Sequence, residues 1–562
     1  MKFKIFLPVC CITFFVPFFT YAQNATPSDR RGLLPEEKED DPYLPNAYNN
    51  QKTSPPADYK IKGSQQLMSS GISTHQVNVN SSGQNILGDA ANEPNLVLNP
   101  RNSNKIVIGW RQFDNVTSNF RQAGWSYTTN AGATWNFAGK IDAGVFRSDP
   151  VLDYDTLGNF YYNSLKSNFN CMVFKSSNGG ATWGAGVDAK GGDKQWMAID
   201  RTTGVGSGNV YSFWTSSYTT CQPGFFTRSS TKATSFESCT QPNDSSYWNS
   251  MAVGNNGELY VAGSGQVDSV IVEKSTNAQV PSSVIVWDAP VIVYMDGHLN
   301  AGTPINPSGL VGQANIDVDH SNGPGKDNVY ILASITRATN TDPADIMFVR
   351  STDGGKNWSA PKRVNDDAST TNTQWMGTMS VAPNGRIDAV WLDTRDAKAG
   401  SDSSALYYSY STDQGTTWTV NEKMSALFDP HVGYPNQSKM GDYFDMQSDN
   451  SGAHLTWTNT LNGEEDVYYS HITPNNPTGV NEISSSITSS ISPNPTSGIF
   501  NISCDAKEYL TEVYNMMGEK VYSKENFKIK NEIDISSQPN GVYLVNIRSG
   551  EGFCTRKVVI QK

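Results

Sequence analysis

One short turn motif occurs four times in this chain and constrains its fold more than any other feature. The copies span residues 128–135, 176–183, 351–358 and 411–418. Each has Ser or Thr, then Asn or Asp two positions later, then Gly and finally Trp. Asn or Asp hydrogen-bonds within its own turn, Gly takes the positive φ that other residues resist, and Trp opens the next strand with a large apolar surface. Four copies of one hairpin turn predict a repeat architecture.

The motif resembles the Asp-box, or bacterial neuraminidase repeat, of the sialidase superfamily. The last two copies match in full through Asp353 and Asp413, whereas the first two carry Asn130 and Asn178. The tryptophans that close the four copies are Trp135, Trp183, Trp358 and Trp418. The resemblance implies a β-propeller in which the box joins the outer two strands of a blade. It implies less about chemistry, because many propellers outside the sialidases use such turns.

Seven segments between residues 95 and 457 repeat the pattern of apolar strand, turn and apolar strand. Each is predicted to be the inner strand pair of one blade. The last unit lacks a fourth strand of its own, which would leave an open edge. We expect a strand at residues 75–80 to fill that place and close the ring. Seven blades are favoured, and six blades, as in sialidases, are the alternative.

Composition agrees with an all-β extracellular protein. The 562 residues include 13 Trp, 25 Tyr and 23 Phe, and only 17% are charged. The formal net charge is −12, with no long basic run. Nucleic acids and anionic membrane surfaces are therefore excluded as expected partners.

The chain is predicted to divide into five parts. Residues 1–22 read as a signal peptide, with Lys2 and Lys4 before an apolar run and a small-residue cleavage site at Ala22. No transmembrane segment is expected after its removal. A polar, proline-rich and disordered leader follows at 23–71, the propeller at 72–475 and a Ser/Thr-rich linker at 476–490.

Residues 491–562 are predicted to form a separate small β-sandwich. Four motifs, at residues 492–498, 513–518, 538–543 and 557–562, occur in an order that closely resembles the type A sorting domain of type IX secretion. The resemblance implies a partner in the type IX secretion machinery. It also implies a secreted protein, or one at the outer-membrane surface of a Gram-negative bacterium.

Five cysteines remain after signal cleavage, and an oxidising compartment permits disulfides. Cys221 with Cys239 and Cys504 with Cys554 are the predicted pairs, which leaves Cys171 over. The six histidines are scattered without a zinc-binding spacing, so no metal is predicted, and no cofactor either.

Propellers bind ligands where the inner strands begin and their loops converge on the axis. The residues predicted to converge there are carboxylates, arginines and aromatics, a mixture that suits sugar recognition. The catalytic candidates are Asp442, Tyr443, Asp149 and Glu93. The substrate-binding candidates are Arg111, Arg147, Arg395, Asp393, Trp196, Trp248 and Trp375.

A sialidase site needs an arginine triad, a tyrosine nucleophile assisted by glutamate and an aspartate acid/base. Arg111, Arg147 and Arg395 are the available arginines, but the Arg-Ile-Pro signature of the family is absent, and Glu93 begins the comparable strand. Three functions stay open. The first is a sialidase-like glycosidase, or a polysaccharide lyase, acting on extracellular glycans. The others are a non-catalytic propeller binding glycans or surface proteins, and a purely structural surface protein. For Asp393 and Arg395 the alternative to ligand binding is a structural salt bridge between neighbouring blades.

Overall fold

The structure is a computed structural model that describes residues 53–55, 71–265, 269–474, 489–506, 508–515, 518–549 and 552–562. The predicted signal peptide, most of the leader and nearly all of the linker lie outside these residues. The chain separates into two compact units after Asn475. Within the described ranges the secondary structure is β throughout, apart from the 3-10 turn Ser216–Tyr218, and no helix is long and apolar enough to cross a membrane.

The first unit consists mainly of seven consecutive antiparallel sheets. Their inner strands are Ala90–Leu98, Ser148–Tyr154, Trp196–Ile199, Tyr247–Val253, Asn315–Val318, Gln374–Val381 and Asp445–Ser448. The second strands are Ile106–Phe113, Phe160–Leu165, Val210–Phe213, Leu259–Ser264, Val329–Arg337, Ile387–Asp393 and Ala453–Asn459. The third strands are Gln122–Thr128, Cys171–Ser176, Phe226–Ser229, Ser269–Ser275, Asp345–Ser351, Ala405–Ser411 and Asp466–Thr473.

The outer strands are shorter and more varied. They are Asn136–Ile141, Val187–Asp188, Val291–Tyr294, Lys362–Arg363, Glu422–Lys423 and, in the seventh sheet, Gly71–Gln76. In the third sheet the chain forms a single bridge there, between Phe226 and Thr240. Four short strands lie outside the blade pattern and form two pairs: Asn85–Ile86 with Thr53–Ser54, and Ala301–Thr303 with Asn306–Leu310. A further short strand, Gly297–His298, extends the fifth sheet.

Consecutive inner strands contact one another, and the seventh contacts the first, so the sheets form a closed ring. The fold is thus a seven-bladed β-propeller. The ring is closed by the N-terminal strand Gly71–Gln76, which pairs antiparallel with Asp466–Thr473. In this pairing His75 lies opposite Tyr469. The predicted closing strand is present, although it begins and ends earlier than the expected residues 75–80.

The four repeated turns connect the third strand to the outer strand of blades one, two, five and six. In the last copy, Gly415 N donates to Ser411 Oγ over 2.9 Å, and Thr417 N donates to Asp413 Oδ1 over 2.8 Å. The same bonds form around Asn130 in the first copy. The turn glycines have φ between 76° and 86°. The hydroxyl oxygen and the amide or carboxylate oxygen each accept a hydrogen bond from a backbone N–H of the turn. The glycine supplies the positive φ that the turn needs.

Each repeated turn also packs against the preceding blade. A Cβ on Gly415 would lie 2.1 Å from Phe348 Cε1, and one on Gly132 would lie 2.2 Å from Tyr469 Cε1. The ring of Trp418 stands 5.3 Å from that of Phe348. The turns therefore join blades as well as strands.

Side chains of the inner strands connect neighbouring blades around the channel. In six of the seven contacts between described inner strands, a side chain accepts a hydrogen bond of 2.6–3.0 Å from a backbone N–H of the next blade. The pairs, acceptor first, are Asn95 with Leu152, Asp153 with Ile199, Ser250 with Ile316, Asp317 with Val381, Ser380 with Ser448, Asp445 with Leu96 and Gln447 with Leu98. We call these bonds the inter-blade ring. Blade three presents Trp196 and Ala198 at the equivalent positions, which offer no acceptor.

Burial affects the carboxylates of this ring. It raises the pKa of Asp317 to about 6 and that of Asp445 to about 7, although backbone N–H groups lower both values. A neutral carboxyl can still accept from a backbone N–H, so protonation preserves the inter-blade bond while removing a buried charge.

The second unit is a β-sandwich. One sheet contains Ser489–Ser492, Ile499–Cys504 and Lys530–Asp534, and the other contains Lys520–Asn526, Tyr509–Asn515, Gly541–Ser549 and Gly552–Ile560. Apolar side chains from both sheets, including Phe500, Val513 and Val545, form one core.

The cysteines depart in part from the predicted pairs. Cys221 and Cys239 are joined by a disulfide in blade three. The predicted disulfide between Cys504 and Cys554 is wrong for this structure, where both are buried thiols. They belong to different sheets of the sandwich, and Cys554 Sγ contacts Ser489 Oγ at 2.9 Å instead. Cys171 is also a buried free thiol.

Replacing Gly415 by alanine is expected to destabilise the propeller. The new methyl group would clash with Phe348 and would occupy a left-handed backbone, so we expect a loss of roughly 2–4 kcal/mol in the free energy of unfolding. Gly400→Ala is the matched control, because Gly400 has φ 78° but nothing within 4 Å of its Cβ position. Urea unfolding of both variants checks this, and equal losses would contradict the packing role.

Asp445→Asn is expected to weaken the pH dependence of stability. The folded pKa of Asp445 lies above its unfolded value, so its contribution is fully present below about pH 4 and is lost as the pH rises through about 7. Asparagine keeps the acceptor for Leu96 N–H without the charge. Urea midpoints at about pH 5 and pH 8 should therefore differ less in the variant than in the wild type.

Asp445→Ala is the comparison variant, because it removes the acceptor and should be less stable at both pH values by about 1–3 kcal/mol. Equal pH slopes in Asp445→Asn and wild type would contradict the assignment.

Candidate functional site

Each inner strand enters the ring near a residue with a left-handed backbone. Such a conformation costs a non-glycine residue about 1–2 kcal/mol, so its repetition marks a feature of the architecture. Blades one, two, three, four and six place Glu93, Asp149, Lys194, Trp248 and Met376 there, with φ between 47° and 56°, and blades five and seven use Gly312 and Gly441. Three of these residues are sequence-predicted site residues.

Glu93 is held between two cations at this end of the channel. Arg111 Nε lies 3.2 Å from Glu93 Oε2, and Lys439 Nζ lies 3.1 Å from Glu93 Oε1. Arg111 also donates to Asn92 and Gln437. The side chains of Glu93, Arg111 and Lys439 are completely buried.

Asp442 binds two lysines on the other side of the same group. Lys439 Nζ and Lys194 Nζ each lie 2.7 Å from Asp442 Oδ2. Lys194 Nζ is also 3.6 Å from Asp149 Oδ2. Three acidic and three basic side chains thus meet at this end of the channel. We call the group the ion-pair cluster; its members are Glu93, Arg111, Asp149, Lys194, Lys439 and Asp442.

Two carboxyl groups of the ion-pair cluster, those of Glu93 and Asp149, have very different pKa values. Burial raises the pKa of Glu93 to about 8, and it outweighs the opposing effect of Arg111 and Lys439. Burial also opposes ionisation of Asp149, but Lys194 and Arg111 overcome it and lower that pKa to about 2. Neighbouring carboxyl groups with such different proton affinities can in principle supply an acid and a base.

Tyr443 lies deeper in the channel. Its hydroxyl donates to the carbonyl oxygen of Pro150 over 2.9 Å, and its ring meets Trp196 edge-on at 5.4 Å. Burial raises the pKa of Tyr443 well above its usual value. The cavity beside these two rings has a volume of only about 10 Å³.

A hairpin inserted between blades four and five covers this end of the ring. Its strands are Ala301–Thr303 and Asn306–Leu310, and we call it the cap hairpin. Asn306 Nδ2 donates to Gly441 O over 2.8 Å, and Leu310 N donates to Asp442 Oδ1 over 3.0 Å. The face that was predicted to bind ligand is closed in this conformation.

The three predicted arginines do not meet at one site. Arg111 pairs with Glu93, while Arg147 pairs with Asp142 and stacks on Phe174. Arg395 Nη2 lies 2.8 Å from Asp393 Oδ2, so the expected salt bridge forms within blade six and not between neighbouring blades. The arginine triad required by the sialidase interpretation is therefore not assembled.

Two predicted tryptophans lie in packed surroundings. Trp375 is fully buried and donates from Nε1 to Ser404 Oγ over 3.0 Å. Trp248 is half-buried and packs on the apolar core of blades four and five.

The opposite end of the channel is open. A passage of about 160 Å³ runs inside the inner strands and widens, between the turns of the inner hairpins, into a space of about 920 Å³. We call this wide space the open cleft. Polar side chains at its wall include Arg101, Asn102, Arg201, His320 and Gln447.

The wall of the open cleft is electrostatically mixed. Arg201 pairs with Asp153, and its guanidinium stacks on the ring of Tyr154 at 4.5 Å. His320 Nδ1 lies 2.7 Å from Asn255 Oδ1. The His320 side chain is exposed at the cleft, but desolvation by the surrounding wall and the nearby Arg201 lower its pKa to about 4, so it is neutral at physiological pH.

The residues at the wall of the open cleft were not predicted from the sequence. The sequence did contain a signal for the channel wall: Asp153 and Asp317 each stand between apolar residues within an inner strand. A carboxylate that interrupts an apolar inner strand must face the channel, because side chains alternate between the two faces of a strand.

Lys439→Met is expected to lower the free energy of unfolding by about 3–5 kcal/mol, because it removes one of the two cations that compensate each of the buried carboxylates Glu93 and Asp442. Lys423→Met is the matched control, because Lys423 forms a half-exposed pair with Asp396 and should change stability by less than about 1 kcal/mol. Urea unfolding of the two variants checks the difference. Similar small effects would show that the ion-pair cluster does not hold the closed face together.

Several solved structures are similar to this chain at low sequence identity. A protein of unknown function from Dyadobacter fermentans DSM 18053 is 13% identical, with a TM-score of 0.41, over 74% of this chain and 99% of that one. A fungal alcohol oxidase of the AA5 family, in complex with copper, is 10% identical, with a TM-score of 0.43, over 87% and 98%. A PL25 ulvan lyase bound to a GlcA–Rha3S saccharide is 10% identical, with a TM-score of 0.32, over 68% and 79%. No curated protein sequence matches the chain.

The C-terminal β-sandwich has a defined family. Residues 490–561 match the secretion system C-terminal sorting domain. This domain directs proteins to type IX secretion, and the machinery of that pathway is therefore a partner. The chain is an exported β-propeller with a type IX sorting domain, secreted or located at the outer-membrane surface of a Gram-negative bacterium.

Proposed function

We propose that the propeller is an extracellular carbohydrate-binding protein whose ligand occupies the open cleft. The observation that carries the proposal is the cleft itself, a space of about 920 Å³ with polar side chains in its wall, on the axis of an exported protein. Its volume is within the range of ligand sites, and it lies where side chains from several blades converge.

The cleft offers the groups that saccharides use. Arg201 and Tyr154 form a stacked pair, a flat surface of the kind that covers the face of a sugar ring. Arg101 is exposed, and its Nε–H donates to Thr156 O over 2.9 Å, which orients the guanidinium at the rim. The exposed side chain of Asn102 adds an amide group for hydrogen bonds to hydroxyl groups.

A second candidate function is glycoside hydrolysis beneath the cap hairpin. It is favoured by the separated pKa values of Glu93 and Asp149, and it would use Asp442 and Tyr443 as first predicted. It requires the cap hairpin to leave the ring, because the cavity beside Tyr443 is too small for a sugar.

We further propose that the four repeated turns are Asp-boxes, which would place this propeller near the sialidase superfamily in ancestry. Their support is the shared pattern of hydroxyl, Asn or Asp, Gly and Trp, with matching hydrogen bonds. Because these turns lie between the third and outer strands, they would carry no catalytic group.

Binding is tested on the full chain with a panel of neutral and uronate-containing polysaccharides by calorimetry. Arg101→Ala and Asn102→Ala should each weaken binding by about 10-fold, since each removes hydrogen bonds to the ligand. Lys398→Ala, at an exposed site on blade six, is the control and should bind like the wild type. If neither cleft variant changed the binding affinity, the open cleft would be excluded as the carbohydrate-binding site.

Hydrolysis is tested on the same panel by release of reducing ends. The second candidate predicts turnover by the wild type and its loss in Tyr443→Phe, which keeps the ring against Trp196. Binding without any product would leave the carbohydrate-binding function as the only one of the two.

A further inference from the structure

Two histidines and an aspartate of blade seven meet beside the open cleft. One potential ligand atom from each of Asp449, His454 and His471 lies within 4.8 Å of the other two. His454 Nε2 is 3.3 Å from Asp449 Oδ2, and the two imidazole rings stack at 4.5 Å. Two imidazoles and one carboxylate are a common protein ligand set for zinc.

The sheet places these residues together. His454 on the second strand is the direct antiparallel partner of His471 on the third, so both side chains project from the same face. Asp449 belongs to the turn that leads into the second strand, where its backbone N–H donates to the carbonyl oxygen of Gly452 over 2.9 Å. The three residues are therefore close in space although they are separated in the sequence.

The orientation of His454 suits a metal ligand. Its side chain is more than nine-tenths buried, and its Nε2 faces Asp449 Oδ2 at 3.3 Å without forming a well-aligned hydrogen bond. Its other ring nitrogen, Nδ1, lies 2.7 Å from the hydroxyl of Tyr469. A metal-bound histidine characteristically donates its second N–H to such a partner, which fixes the ring with Nε2 toward the metal.

The surrounding charge permits a cation. The nearest positive group is Arg386, whose Nη2 donates to the carbonyl oxygen of Asp449 over 2.8 Å. Its charge is compensated by Asp388, whose two carboxylate oxygens lie 2.8 and 3.0 Å from Arg386 Nε. Ser451 Oγ, 3.4 Å from His471 Nε2, adds a polar group at the outer side.

We infer that Asp449, His454 and His471 form a zinc-binding site with three protein ligands and a fourth position for water. The site joins the inner turn of blade seven to its third strand. That strand also carries the closing strand Gly71–Gln76, in which Ser73 pairs with His471. Zinc would therefore stabilise the ring at its point of closure, where the N-terminal and C-terminal parts of the propeller meet.

The test uses the untagged full chain, stripped with EDTA and titrated with Zn²⁺ by calorimetry. The expected result is one Zn²⁺ per chain, a higher melting temperature with Zn²⁺ and loss of both effects in His454→Gln and His471→Gln. Tyr469→Phe keeps the packing on Trp135 and removes only the hydroxyl, so it should weaken Zn²⁺ binding by about 10- to 100-fold.

His431→Gln is the matched control, because His431 also lies beside two aspartates, Asp402 and Asp429, but on an exposed surface. It should bind Zn²⁺ like the wild type. If the histidine variants do not fold, Co²⁺ added to the wild type gives a second readout, a visible absorption typical of tetrahedral coordination that Zn²⁺ abolishes. Zn²⁺ binding unchanged in His454→Gln and His471→Gln, or no binding and no Co²⁺ spectrum in the wild type, would overturn the inference.

Discussion

The inter-blade ring is the interaction on which the rest of this propeller depends. The inner strand of a blade is an edge strand, and its axis-facing N–H groups would be unpaired without a partner. Here the partners are side chains of the preceding blade, such as Asp153 for Ile199 and Asp317 for Val381. Closure uses two such bonds, from Leu96 to Asp445 and from Leu98 to Gln447, at the contact where blade seven meets blade one.

This requirement determines what the channel can do. Carboxylates that accept backbone hydrogen bonds are committed to the scaffold, and burial shifts Asp317 and Asp445 toward the neutral form. Chemistry and recognition are left to the two ends of the channel, which differ sharply. One end is closed by the ion-pair cluster and the cap hairpin, whereas the other widens into the open cleft.

Blade seven carries an unusual share of the functional features. It receives the closing strand, it supplies Asp442 to the ion-pair cluster and it holds Asp449, His454 and His471 at the cleft. A propeller opens most readily where its first and last parts meet, since only non-covalent contacts hold that blade together. Concentrating buried ion pairs and a metal site there would strengthen the weakest contact of the ring.

Features that depend on short stretches of chain follow from the amino-acid sequence alone. Turn chemistry around Gly415 and Asp413, alternating strands and the ordered motifs of the sorting domain are local, and they predicted the propeller, its closure from the N-terminal side and the export route. Only the tertiary structure decided which predicted residues are accessible, because burial of Glu93 and Asp442 depends on a hairpin from between other blades. It alone also paired His454 with His471, since strand register brings together side chains that no sequence spacing connects.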